Sequence, residues 1–269
     1  MEKLIEGMTG HYMVAVVDGA KQDYLSEESI ILAMANGKEF SKVFGRSDLV
    51  SIPHSNTIRT RETGLSELVG MDASNSIVLL DEVLNTVKQS KEVRNMKDKE
   101  KRISLLLDKH GQELTMLAYN VAQSMLENAK RYEAQEGLRE TMKNLYFSAM
   151  KSMYKDPSKT GMILMDIVQR IEDDDPLKDK SYLVANQTHN PGVVLTWLLL
   201  NGKDINVQNY MDAKFGYGDG FYIMSNSSDN DVSVYKKNAT NISLENVSNA
   251  KHYDFAMNLR RFKTDNKIK

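Results

Sequence analysis

The chain has no cysteine, which removes disulfides, thiolate metal ligands and a cysteine nucleophile together. Long hydrophobic runs are missing too. The longest apolar stretch, Val193 to Leu200, falls far short of the ~20 residues that a membrane span needs. Met1 to Gly7 holds no secretory apolar segment. Charge of one sign is also lacking: the formal net charge is −2, so any attraction for nucleic acid or an anionic membrane has to be local. The five histidines (His11, His54, His110, His189, His252) show no metal-ligand spacing and no i, i+4 pair, so we expect no metal site and no cofactor. These absences describe a soluble, cytoplasmic protein without a membrane partner.

What is present suffices for real cores. With 41% hydrophobic residues in 269, the chain can build one large domain or two modest ones. The organising stretch is Ser74 to Tyr154. From Ile103, the residues Leu107, His110, Leu114, Leu117, Val121 and Met125 recur at gaps of three and four, the stripe of a helix laid on a partner. Ile77, Leu80, Leu84 and Val87 extend that period backwards, while Leu138, Met142, Leu145, Ala149 and Met153, then Ile163, Ile167 and Ile171, extend it forwards. The predicted fold class is therefore α+β, with a central helical bundle at 71–176.

A small strand–helix–strand module at 1–70 precedes the bundle. Tyr12 to Val17 reads as a buried strand, Ser26 as a helix cap and Asn36-Gly37 as that helix's stop. Phe40–Phe44, Leu49–Ile52 and Thr57–Thr60 read as short strands, and Gly64–Gly70 as one helical turn. This module resembles short α/β modules of phage and mobile-element proteins, in which a helix ends in Asn-Gly and runs into a strand. Residues 177–269 read as a small antiparallel sheet with two helices. Asn190-Pro191 opens one helix, and Asp204 caps a second at Val207–Phe215. Phe221–Met224, Val232–Tyr235 and the alternating Tyr253–Arg261 supply strands.

Motifs with chemistry are scarce. Ser152-x-x-Lys155, Lys159-Thr160-Gly161 and Ser228-Asp229-Asn230 resemble serine β-lactamase motifs, but their order and spacing are wrong for that family. Val193–Asn209 resembles part of one ankyrin repeat, with no second copy to stack on. Gly216 to Gly220 leads into a strand, not the helix a phosphate loop needs, so it reads as a turn. Glu172 to Asp175 reads as a solvated loop before Pro176, and Trp197 as core.

Two basic tracts remain. Lys88, Lys91, Arg94, Lys97, Lys99, Lys101 and Arg102 stand against three acids, a net +4 along one predicted helical arm. Residues 251–269 carry another +4, including Arg260, Arg261 and Lys263, with Tyr253 and Phe255 nearby for stacking. The expected function is a non-enzymatic binding protein acting on nucleic acid, or on a nucleic-acid-handling protein, through that arm. The alternative is a structural protein that forms a homo-oligomer through the bundle, its 16 methionines adapting the interface. The third is an enzyme whose site lies between the terminal modules, drawing on His189, Asp219 and His252.

Overall fold

Two eight-residue segments, residues 3–10 and 181–188, are buried along almost their whole length, and their pairing sets the architecture. The computed structural model describes residues 3–71, 73, 76–84, 87–133, 181–226 and 231–266. Strand β1 (Lys3–Gly10) runs parallel to β6 (Ser181–Thr188), from Lys3 opposite Ser181 to Gly10 opposite Thr188. They lie inside a seven-stranded sheet of order β5-β4-β6-β1-β7-β8-β9. Here β4 is Leu49–Ser55, β5 Ile77–Leu84, β7 Gly220–Asn226, β8 Asp231–Asn238 and β9 Ser243–Lys251. The block β5-β4-β6-β1 is parallel, and β7, β8 and β9 continue it antiparallel. A separate hairpin, β2 (Val14–Val17) with β3 (Ala20–Leu25), stands beyond the end of β1.

Helices cover both faces, as a largely parallel sheet requires. On one face lie α1 (Glu27–Phe44) and α2 (Ile58–Gly70); Phe40, Phe44 and Leu68 pack there with Ile5, Val50, Ile52, Leu183 and Tyr222. On the other lie α4 (Lys99–Glu133), α5 (Asn190–Leu200) and α7 (His252–Asp265), whose Leu114, Ala118, Leu195, Leu199 and Phe255 join Met8, Phe221 and Val234. Two short helices, α3 (Lys91–Asn95) and α6 (Val207–Asp212), complete the described set. No described helix is long and apolar enough to cross a membrane.

The expected α+β organisation around a central bundle is overturned by this sheet, which takes strands from both ends of the chain. The segment read as the bundle's first helix is β5. Its run Ile77-Val78-Leu79-Leu80 is short and wholly apolar, and such a run fits the strand period as well as the helical one. Phe40–Phe44 belongs to α1, because Asn36-Gly37 does not end that helix. Gly37 is where α1 crosses α2: a Cβ there would overlap the Glu67 carbonyl, and one at Gly70 the Met34 carbonyl. Thr57–Thr60 opens α2 and is not a strand. Tyr12 is buried but lies outside any strand, while Val16 and Val17 of β2 are exposed. Tyr253–Arg261 is helical. Phe255 and Leu259, four apart, are its buried positions, and Tyr253 and Met257 face out despite the period of two.

Several expectations hold. Ser26 caps α1 through its hydroxyl, α5 begins at Asn190-Pro191, and β7 and β8 form a hairpin. The stripe on α4 is real, with Ile103, Leu114 and Met125 buried, but it packs on α5 and the sheet. Asn206, not Asp204, caps α6. The expected helices at 138–153 and 163–171, the acids at 172–175, and the Ser-x-x-Lys, Lys-Thr-Gly and Ser-Asp-Asn motifs lie outside the described residues.

Candidate functional site

Parallel strands that end side by side bring the segments following them into one crevice, the usual place for a ligand in such sheets. Here β4, β6 and β1 are neighbours, and each carboxyl end delivers polar groups to the same spot. His11 follows β1, Ser55 ends β4 with Arg59 in the first turn of α2, and His189 follows β6 as the N-cap of α5. The backbone holds the first histidine on both sides: His11 N–H donates to the Thr188 carbonyl at 2.9 Å, and Gly218 N–H donates to the His11 carbonyl at 3.1 Å.

The two imidazoles stand edge to face with centroids 5.0 Å apart, and Tyr217 tilts against His11 at 5.6 Å. His11 Nδ1 lies 2.6 Å from the Tyr12 carbonyl oxygen; it therefore carries the proton and donates, leaving Nε2 with the lone pair. His189 Nε2 accepts from Arg59 Nη2 at 2.8 Å, and its Nδ1 faces the Ser55 hydroxyl at 3.5 Å. Burial pushes the His11 pKa down to about 4, with Arg59 and Lys21 adding to the fall against Tyr12 and Asp23. His189 falls to about 3, first through burial, then through His11 and Arg59. Both rings are neutral bases at pH 7.

Arg59 is the cation between them. Its Nη1 pairs with Asp23 of β3 at 2.5 Å, and its Nε is buried without a hydrogen-bond partner among the described residues. Neither Thr57 nor His189 caps its helix through a side-chain hydrogen bond, so α2 and α5 turn uncapped N-termini to the site. A guanidinium and two helix N-termini favour an anion, and a neutral imidazole there keeps its nucleophilic lone pair.

The pocket is braced from below. Glu67 on α2 is buried and accepts from the Tyr12 hydroxyl at 3.2 Å, from Gln187 Nε2 at 3.1 Å and from the Lys237 ammonium of β8. Tyr12 follows His11, and Gln187 precedes His189 by two positions. One buried carboxylate thus ties together the two segments that carry the histidines. Tyr12 N–H also meets Thr63 Oγ1 at 3.4 Å, and that hydroxyl donates to the Arg59 carbonyl at 2.8 Å.

The site residues singled out in the sequence lie elsewhere. Lys88 and Lys97 are in loops, Lys91 and Arg94 on the one-turn α3, and Lys99, Lys101 and Arg102 on the first turn of α4. All are exposed, and helical structure is interrupted at 96–98, so they form no single helical arm. Arg260, Arg261 and Lys263 are exposed on α7, with Arg261 3.6 Å from Asp265. His252 is remote from the histidine pair: its Nε2 meets Ser225, which pairs with Leu4 at the opposite end of β1. Asp219 serves the turn beside the site, accepting from Gly216 and Ala239 N–H groups, while its carbonyl accepts from Gly10 N–H. Among the described residues no group of three His, Asp or Glu side chains could hold a metal ion.

The expected absence of any reaction constellation is overturned by the cluster of His11, Arg59 and His189, and the expected nucleic-acid-binding arm by the scatter of its basic residues over separate elements. Arg59 was missed altogether. The available signal was faint: His189 directly precedes the Asn190-Pro191 helix start.

No family model matches the sequence, and no curated protein does. Solved structures similar to the chain include a Hafnia alvei phytase in complex with myo-inositol hexakis sulphate (12% identity, 97% of this chain and 96% of that one, TM-score 0.47). Others are a phosphoserine phosphatase from Entamoeba histolytica (13%, 83% and 90%, TM-score 0.43) and a phosphoglycerate mutase from Plasmodium falciparum (13%, 93% and 99%, TM-score 0.39). At these scores the likeness bears on neither substrate nor mechanism. The helix expected to end at Asn36-Gly37 runs on to Phe44, and β1 is an inner strand of the large sheet, so the resemblance to phage and mobile-element modules does not stand.

Proposed function

We propose that the chain is an enzyme acting on phosphate monoesters, with His11 as the nucleophile. The observation that carries this reading is the placement of Arg59 against two neutral, buried imidazoles at the carboxyl ends of adjacent parallel strands. The guanidinium and the α2 and α5 N-termini would hold the phosphoryl oxygens and neutralise the charge that develops on them. The hydrogen bond to the Tyr12 carbonyl fixes the His11 tautomer and leaves the lone pair on Nε2. As the Nε2–P bond forms, the bond from phosphorus to the ester oxygen breaks, and solvent supplies the proton which that oxygen takes. Water then attacks the phosphohistidine, releasing phosphate and returning the proton to solvent. Asp23 holds Arg59 when no anion is bound and yields it to the phosphate. The test is turnover of p-nitrophenyl phosphate by the wild type, His11→Ala and Arg59→Ala. Hydrolysis lost in His11→Ala and strongly reduced in Arg59→Ala supports the reading; equal rates in all three would end it.

A further inference from the structure

A second space adjoins the histidine pair. Between α4 and the sheet face formed by β1, β6 and β4 lies a cavity of about 350 Å³, within the size range of small-molecule sites. It reaches the candidate site at His189 and Pro191, and it runs down the sheet past Met8 and Val184 beneath Leu117 and Val121 of α4. Its described wall is mainly apolar, with Gln89, Asn120, Asn186 and Thr188 as neutral polar groups; among the described residues no lysine or arginine lines it, and the one charged side chain is the buried Glu6. The described wall offers no cation to a second phosphate or a carboxylate, whose burial without a counter-charge is costly.

We propose that this cavity receives the body of the ester whose phosphate occupies the histidine site, and that this body is apolar and carries no negative charge. The inference rests on the phosphate-site reading above and narrows it. The substrate class is the phosphate monoester of an aliphatic or aromatic alcohol, as opposed to a multiply phosphorylated or carboxylated molecule. Continuity at His189 places the phosphorus at the mouth and the carbon skeleton along the strands.

Calorimetry with inorganic phosphate and with methyl-, butyl- and hexylphosphonate, which are not hydrolysed, tests it. Affinity should rise by about two- to fourfold per added methylene, as burial of a CH₂ against the aliphatic part of the wall predicts. A six-carbon phosphonate ending in a carboxylate should bind at least about tenfold more weakly than hexylphosphonate. Val121→Trp, and separately Ser124→Trp from the more exposed side of the wall, should flatten the chain-length series. If phosphate binds but chain length has no effect, or if both tryptophans leave the gain intact, the cavity has no such role and the phosphate site stands alone. If phosphate itself does not bind, the reading of the histidine site falls first and takes this one with it.

Discussion

Breaking the Glu67–Lys237 pair should be among the most damaging single changes to the fold. Both side chains are almost wholly buried, and Glu67 also accepts from Tyr12 and Gln187. Burial lowers the Lys237 pKa more than Glu67 raises it, so the ammonium is held at a desolvation cost that the carboxylate only partly offsets. Such a pair need not add net stability, but removing one partner strands the other. Lys237→Met should therefore cost about 3–5 kcal/mol, a large part of the ~5–15 kcal/mol by which a domain is stable. In melting temperature that is roughly 6–20 °C for a chain of this size. The double variant Glu67→Gln, Lys237→Met removes both charges and keeps an amide to meet Tyr12 and Gln187, so it should recover to within about 2 kcal/mol of wild type. Urea melts of the four proteins close the cycle. A Lys237→Met cost below about 1 kcal/mol, or single costs that simply add in the double variant, would refute the reasoning.

Stability should fall on acidification through the site histidines. The folded His11 and His189 values, about 4 and about 3, lie below the unfolded 6.5, so the unfolded chain binds protons first as the pH drops. The stability present above pH 6.5 is then lost progressively toward pH 4 for His11, on the order of 3 kcal/mol, and toward pH 3 for His189, and urea melts of His11→Asn should show a shallower dependence. Inorganic phosphate should raise both imidazole pKa values, readable as upward shifts in ¹⁵N-detected titrations. Gly37→Ala should destabilise by about 3 kcal/mol by forcing α1 off Glu67, whereas Gly111→Ala, whose Cβ would meet only Leu107 at an ordinary 3.8 Å, should gain about 0.5–1 kcal/mol in thermal or urea melts.

What the sequence revealed follows from how local each signal is. The α4 stripe, the Ser26 cap and the Asn190-Pro191 start are written within a few residues, and they were readable. β1 was not, because Glu6, Gly7 and Thr9 interrupt its apolar residues, and its partner begins at Ser181, far along the chain. β9, Ser-Leu-Glu-Asn-Val-Ser-Asn-Ala-Lys, is a mostly exposed edge strand with little apolar content to betray it. The site is legible only once the sheet is known. His11, Arg59 and His189 share no spacing, and they meet because β1, β4 and β6 end together. The basic tracts, by contrast, were conspicuous in the sequence and lie as exposed residues on separate elements.

The most direct test is to mix the protein with p-nitrophenyl phosphate, quench at alkaline pH where a phosphoramidate survives, and map the adduct by mass spectrometry. One phosphoryl group on the peptide carrying His11, absent in His11→Ala, is the expected result. Steady turnover with no adduct at His11, or an adduct at another residue that survives His11→Ala, would contradict it.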